Sequence, residues 1–275
     1  MRHTSWAFAW RAARIRGHSG MKWSLNAGRL FGIKFRIHAT FFLLLLYVFF
    51  SDIKEGFGQA WLSVLFVCLI FVCVVIHELS HSLVARHFGR EPRSITLLPI
   101  GGVAMIDMMP TKPSQEIAIS IVGPITNIVI AVVLGLIFRS SIAPVLDENA
   151  SQTGPQLFVV NLIMVNIILA VFNLIPALPM DGGRILRSVL AMKFDYLRAT
   201  VWAVAVGKVI AAFFIIYGFF SGDFWLALIG FFIYAGANNE KQQAIYLTML
   251  AQRPPDLTVP PGYINLTQDD RITRQ

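Results

Sequence analysis

Charge is what this sequence has least of. Only 14% of its 275 residues are Asp, Glu, Lys or Arg, 56% are hydrophobic, and the mean hydropathy is +0.66. A soluble domain carries about 25% charged residues, so there is too little polar surface here for a water-covered fold of this size. Acid is absent altogether from residues 1–37, where eight cations stand (Arg2, Arg11, Arg14, Arg16, Lys22, Arg29, Lys34 and Arg36). The net charge of +8 therefore fits a basic segment lying against anionic lipid and gives no reason to expect nucleic acid. An Arg-rich transit peptide is the alternative for that segment. Cysteine is scarce too: Cys68 and Cys73 share one apolar stretch, which excludes a disulfide framework and a CxxC site. Cys73 stands four residues before His77 and reads as a small apolar packing residue. No repeat or low-complexity tract is present.

Long apolar runs are what the chain has in plenty. They fall at about 37–50, 60–88, 116–138, 155–178, 199–220 and 224–238. A helix needs about 20 residues to cross hydrocarbon, so the first and last are short. Basic residues gather in the N-terminus, in 86–115 (Arg86, Arg90, Arg93, Lys112) and in 179–198 (Arg184, Arg187, Lys193, Arg198), whereas the alternate loops hold few. By the positive-inside rule this predicts six spans in the cell membrane with both termini cytoplasmic. Two segments resist a helical reading. Residues 31–37, FGIKFRI, alternate as a strand does; residues 94–107 mix β-branched residues with Pro99, Gly101 and Gly102. The expected fold is an all-α polytopic membrane protein of about six transmembrane helices with a small cytoplasm-side β-sheet or hairpin. Its parts are a basic segment 1–30, a membrane-embedded domain 31–238 and a short cytoplasmic tail 239–275. The tail, with Pro254, Pro255, Pro260 and Pro261, is expected to be loosely ordered. The sequon at Asn265 carries no weight on the cytoplasmic side.

The chemistry concentrates in two places. The second run contains HELSH, with His77 and His81 four residues apart; on a helix both imidazoles project from one face and can hold one metal ion. Glu78 between them is placed to act as general base toward a metal-bound water. A carboxylate inside a membrane helix costs about 2.5–3.5 kcal/mol, and a metal beside it would compensate. A catalytic zinc needs three protein ligands and an open position. Asp181 is the third candidate, at the end of the fourth run, just past Pro176 and Pro179 and followed by Gly182 and Gly183, which are read as unwinding the helix. His87, beside Arg86 at the end of its span, reads as an interfacial residue. Asn127 and Lys208 lie at a comparable depth. Asn127 is read either as helix packing or as a group that orients substrate or an oxyanion; Lys208 either snorkels or pairs in the site.

HELSH (77–81), LLPIGGVAMID (97–107), GPITN (123–127) and NLIPALPMDGGRILR (173–187) together resemble the site-2 protease family of intramembrane zinc metalloproteases, in particular its prokaryotic six-span members. The stretches run in family order, and the resemblance covers most of the chain from about 30 to 240. It implies His77, His81 and Asp181 as ligands of one zinc ion per chain and Glu78 as catalytic base. It also implies a single-span or few-span membrane protein as substrate, cut within the bilayer, with a regulatory membrane partner of unknown identity. Residues 239–275 are too few for the pair of CBS domains that many such members carry. An unwound substrate is expected to pair with the strand-like segment at Val103, Ala104 and Met105 by β-augmentation. A transporter would also place His, Glu, Lys and Asn at mid-depth, and would be told apart by transport that survives Glu78→Gln.

Overall fold

The computed structural model describes residues 23–90, 92–98, 101–106, 112–139 and 154–251. Residues 1–22, which hold most of the basic segment, lie outside these. So do residue 91, Pro99 and residue 100, and residues 107–111, 140–153 and 252–275.

The chain enters through strand β1 (Ser24–Leu30) and strand β2 (Ile33–His38), then turns directly into helix α1 (Ala39–Asp52). His38 caps α1 by accepting from the Thr40 amide at 3.4 Å. At 14 residues, α1 is about 21 Å long, short of the hydrocarbon thickness. A 3-10 turn (Ile53–Glu55) leads to α2 (Phe57–His87), the 31-residue helix that carries HELSH. It closes with Arg86 and His87 in its last turn, where cations suit the negative end of the helix dipole. His87 is exposed with its ring beside Phe88. Next come β3 (Pro92–Leu98), β4 (Gly101–Ile106), α3 (Pro113–Ile137), α4 (Gly154–Leu174), α5 (Asp181–Ala191), α6 (Tyr196–Ser221) and α7 (Phe224–Ala251).

Each of the six apolar runs forms a helix over most of its length, the fourth only as far as Leu174. Four of the helices, α2, α3, α4 and α6, are long and apolar enough to cross a membrane; α1 and α7 answer to the two runs that were short. The expected loose tail does not begin at 239, since α7 continues to Ala251.

Both non-helical segments are strands, and they meet. The sheet has four strands in the order β1-β2-β3-β4, with β2 and β3 parallel and the outer pairs antiparallel. β1 adds a strand inside what the sequence presented only as a basic segment. Alternation puts Ile33, Phe35, Ile95 and Leu97 on one face, where they pack on Leu79 of α2 with Ile37 and Val75 alongside. The sheet thus leans on the side of α2 opposite its histidines. The guanidinium of Arg86 ties the strand turn to the same helix by donating to the Phe31 carbonyl at 2.8 Å.

Candidate metal centre

Three elements build the centre. α2 presents His77 and His81 one turn apart, both buried. α3 crosses them at Gly123. A methyl group there would overlap the imidazole edges of both histidines, so only a residue without a side chain lets the two helices approach this closely. The third element is the break after α4. From Ile175 to Met180 the chain leaves the helix, with Ala177, Leu178 and Met180 buried against Ala203, Val204 and Ala211 of α6 and Ile233 and Ala237 of α7. Irregular backbone at membrane depth is tolerated when protein covers it, and here the α6–α7 pair does.

Asp181 opens a new helix instead of ending an unwound one. Gly182 and Gly183, read from the sequence as unwinding residues, lie in the first turn of α5. A Cβ on either would run into backbone atoms of Leu174–Leu178. They fold α5 back onto the break, and so carry the Asp181 carboxylate inward.

The result is a tight triangle. The Nε2 atoms of His77 and His81 are 3.0 Å apart, and Asp181 Oδ2 lies 3.3 Å from the first and 3.2 Å from the second. Two imidazoles and a carboxylate on a tetrahedral ion with bonds of about 2.0–2.2 Å place their donor atoms roughly 3.3 Å apart. The donor set therefore fits one small divalent metal such as zinc. The far nitrogens agree. His77 Nδ1 faces the Asn127 carbonyl oxygen at 2.5 Å and His81 Nδ1 the Ile119 carbonyl at 2.6 Å. Each Nδ1 donates its proton outward, which leaves each Nε2 lone pair for a metal. Glu78, on the same turn, is close enough to feel the charges of His81, His77, Asp181 and Arg184.

Asn127 stands behind His77. It is fully buried, and its amide nitrogen donates to Asn166 Oδ1 at 2.9 Å. Asn166 donates in turn to the Leu162 carbonyl at 2.9 Å and to Cys73 Sγ at 3.4 Å. Asn166, Gly123 and the acceptor role of Cys73 were not foreseen. Asn166 sits in an apolar run with no motif around it, and its only signal is an amide where a membrane helix would favour an aliphatic residue. Lys208 is not part of the group; its ammonium lies 5.0 Å from the centre of the Tyr234 ring.

The model of peptidase family M50 matches residues 65–142 and 140–216, a stretch that holds most of α2, the triangle and the break. The chain belongs to peptidase family M50. Two curated relatives and one solved structure extend the match within and around this M50 core. A zinc metalloprotease of Methanocaldococcus jannaschii is 39% identical over 222 residues, covering 81% of this chain and 62% of its own length. A putative zinc metalloprotease of Synechocystis is 33% identical over 254 residues, with 83% and 62% covered. The chain thus spans less than two thirds of the length of these M50 relatives. The solved site-2 protease from Methanocaldococcus jannaschii is 34% identical with a TM-score of 0.59, over 86% of this chain and 98% of that one. The family resemblance seen in the motifs holds, and the M50 chain described here is a membrane protein.

Proposed function

We propose that this chain is an intramembrane zinc metalloprotease that hydrolyses peptide bonds in or near the transmembrane segments of membrane proteins. The observation that carries the reading is the triangle of His77, His81 and Asp181, with two outward-donating imidazoles and Glu78 one residue from the first ligand, inside a family M50 frame. His77, His81 and Asp181 would hold the zinc, whose chemistry is to acidify a bound water and to polarise the peptide carbonyl. Glu78 takes the proton of the attacking water and returns it to the leaving amine. Asn127 acts through His77: with both ends of its amide engaged inside the protein, it fixes the tautomer of the imidazole in place of contacting substrate.

The substrate is read as a membrane helix locally unwound. Its released N–H and C=O groups would be taken up along β4, an edge strand with no strand paired on its outer side among the described residues. Val103, Ala104 and Met105 lie at its middle, paired on the inner side with Thr96, Ile95 and Ser94. The orientation is read from the charged loops, with both termini and the 179–198 segment cytoplasmic across six spans of the cell membrane. Cysteine labelling at Ser51 from outside the cell and at Lys193 only after permeabilisation would agree; the reverse would overturn the topology.

The test is a pair of measurements on purified protein. Wild type should hold about one zinc per chain, and Glu78→Gln should keep that zinc while losing nearly all cleavage of a single-span substrate. Wild-type turnover with Gln at 78, or full zinc in a His77→Ala/His81→Ala double variant, would defeat the mechanism.

A further inference from the structure

A second buried polar cluster lies outside the triangle, joining two arginines at the end of the 173–187 motif to carboxylates on other helices. Arg187 of α5 is 4% exposed. Its Nε donates to Glu116 Oε1 at 3.0 Å, and its Nη2 contacts the same oxygen. Its Nη1 donates to Glu240 Oε2 at 2.9 Å, and its guanidinium carbon stands 5.2 Å from the centre of the Tyr196 ring. Arg184, one turn nearer Asp181, reaches the other oxygen of Glu240 at 3.4 Å. Glu116 belongs to the first turn of α3, Tyr196 to the start of α6, and Glu240 to α7. Four helices meet on one guanidinium, and two arginines are balanced by two carboxylates.

The location gives this cluster a task. α5 has 11 residues and begins with the third member of the triangle. Gly182 and Gly183 press its first turn on the 174–178 backbone and act as a pivot. Arg187 lies six residues after Asp181, roughly 9 Å along the helix axis, where a lever arm sets the tilt about that pivot. Glu116 and Glu240 grip this arm from two sides, α3 and α7. Glu240 stands beyond the apolar run of the last helix, in the stretch expected to be loosely ordered.

We propose that Arg187, clamped between Glu116 and Glu240, is a positioning residue for Asp181. The clamp fixes the tilt of α5, and with it the distance of the carboxylate from the two Nε2 atoms. Through Glu240 the far end of α7 takes part in the geometry of the metal centre without touching it. The fork matters beyond the charge: a guanidinium serves both carboxylates and stacks on Tyr196, whereas an ammonium is a point charge that cannot do all three.

This inference rests on the metal reading above, and the test separates the two. The full chain in detergent is loaded with cobalt(II) in place of zinc, and the visible absorption and the rate of metal loss to a chelator are measured for wild type, Asp181→Asn, Arg187→Lys, Glu240→Gln and Glu116→Gln. Wild type should give the intense bands of a tetrahedral ion, and Asp181→Asn should lose them. Arg187→Lys and Glu240→Gln should shift the bands and release metal about tenfold faster, with kcat lowered and KM little changed. A purely structural cluster would lower the melting temperature and leave bands and release rate as in wild type; that result overturns the proposal. If Glu240→Gln does not fold, Arg187→Lys decides, because it keeps the buried charge and removes only the fork. Wild type that binds no cobalt would sink the metal reading and the clamp together, whereas normal binding with unaltered variants would sink the clamp alone.

Discussion

Replacing Asn127 by Leu separates two roles that the residue could play. The substitution keeps roughly the volume and removes both hydrogen-bonding ends of the amide. His77 Nδ1 then loses the acceptor it meets at 2.5 Å, and Asn166 loses the donor at 2.9 Å. Both sites are buried, His77 at 6% exposed and Asn166 at 0%, so each orphaned group costs about 1–3 kcal/mol. The imidazole is then free to place its proton on Nε2, the atom the metal needs. Loss of such a supporting partner typically weakens metal affinity about 10–100-fold, or roughly 1.4–2.7 kcal/mol. A residue that instead stabilised the oxyanion would lower kcat by about 10²–10³ and leave metal affinity alone. Zinc affinity by competition with a chromogenic chelator, read beside kcat on a single-span substrate, distinguishes the two. Asn127→Asp keeps the acceptor for His77 and should retain most of the affinity. Wild-type zinc affinity in Asn127→Leu, with kcat reduced, would refute the positioning argument and restore the oxyanion role.

Gly123→Ala sets two effects against each other. Helix propensity alone favours Ala by about 1 kcal/mol, but the added methyl falls on both imidazole rings, so zinc content and cleavage should drop; a fully loaded, active Gly123→Ala protein would show that the rings have room to move. Single prolines at Val103, Ala104 and Met105 each remove one backbone donor, and because successive donors point to opposite sides of a strand, at least one should impair cleavage with zinc content and melting temperature preserved. Three variants that fold and cleave normally would end the strand-docking idea. Burial alone would raise the Glu240 carboxyl, but the guanidiniums of Arg184 and Arg187 outweigh it and hold it below its ordinary value of 4.5. A lowered carboxylate stabilises fully above that ordinary value and stops doing so as pH falls through the folded value. The melting temperature should therefore decline on acidification below about 4.5, less steeply in Glu240→Gln; identical acid limbs would contradict the ion pairing.

Much of the centre was legible because its residues are improbable where they stand. HELSH breaks an apolar run with three ionisable groups, and Asp181 follows a proline-rich break, so each announces itself locally. What the residues touch was not legible. Asn127 could be placed at the depth of His77, but its partner Asn166 lies 39 positions away on another helix, and only packing reveals that the amide is already engaged. Gly182 and Gly183 misled, since glycine after proline suggests loose backbone. Here glycine serves close approach, and the helix resumes at once. The sheet was half visible. Alternation in 31–37 and the Pro/Gly interruptions in 94–107 marked both as strands, whereas their parallel pairing joins segments separated by all of α1 and α2. Glu240 shows why the tail was misjudged: a charged residue just past an apolar run looks solvated unless the arginines that neutralise it are known.

Cys73 Sγ ends the hydrogen-bonded chain that runs through Asn166 and Asn127 to His77, and this bears on how inhibition is diagnosed. An alkylating reagent small enough to reach that sulfur would push on Asn166 and, two bonds later, turn the imidazole. Activity would fall with the stoichiometry of thiol modification, the signature ordinarily taken to identify a cysteine nucleophile. In the proposed mechanism the thiol performs no bond-making. Cys73→Ser, which keeps a small acceptor, should stay active and become resistant to the reagent, so reagent sensitivity alone would not identify a cysteine nucleophile.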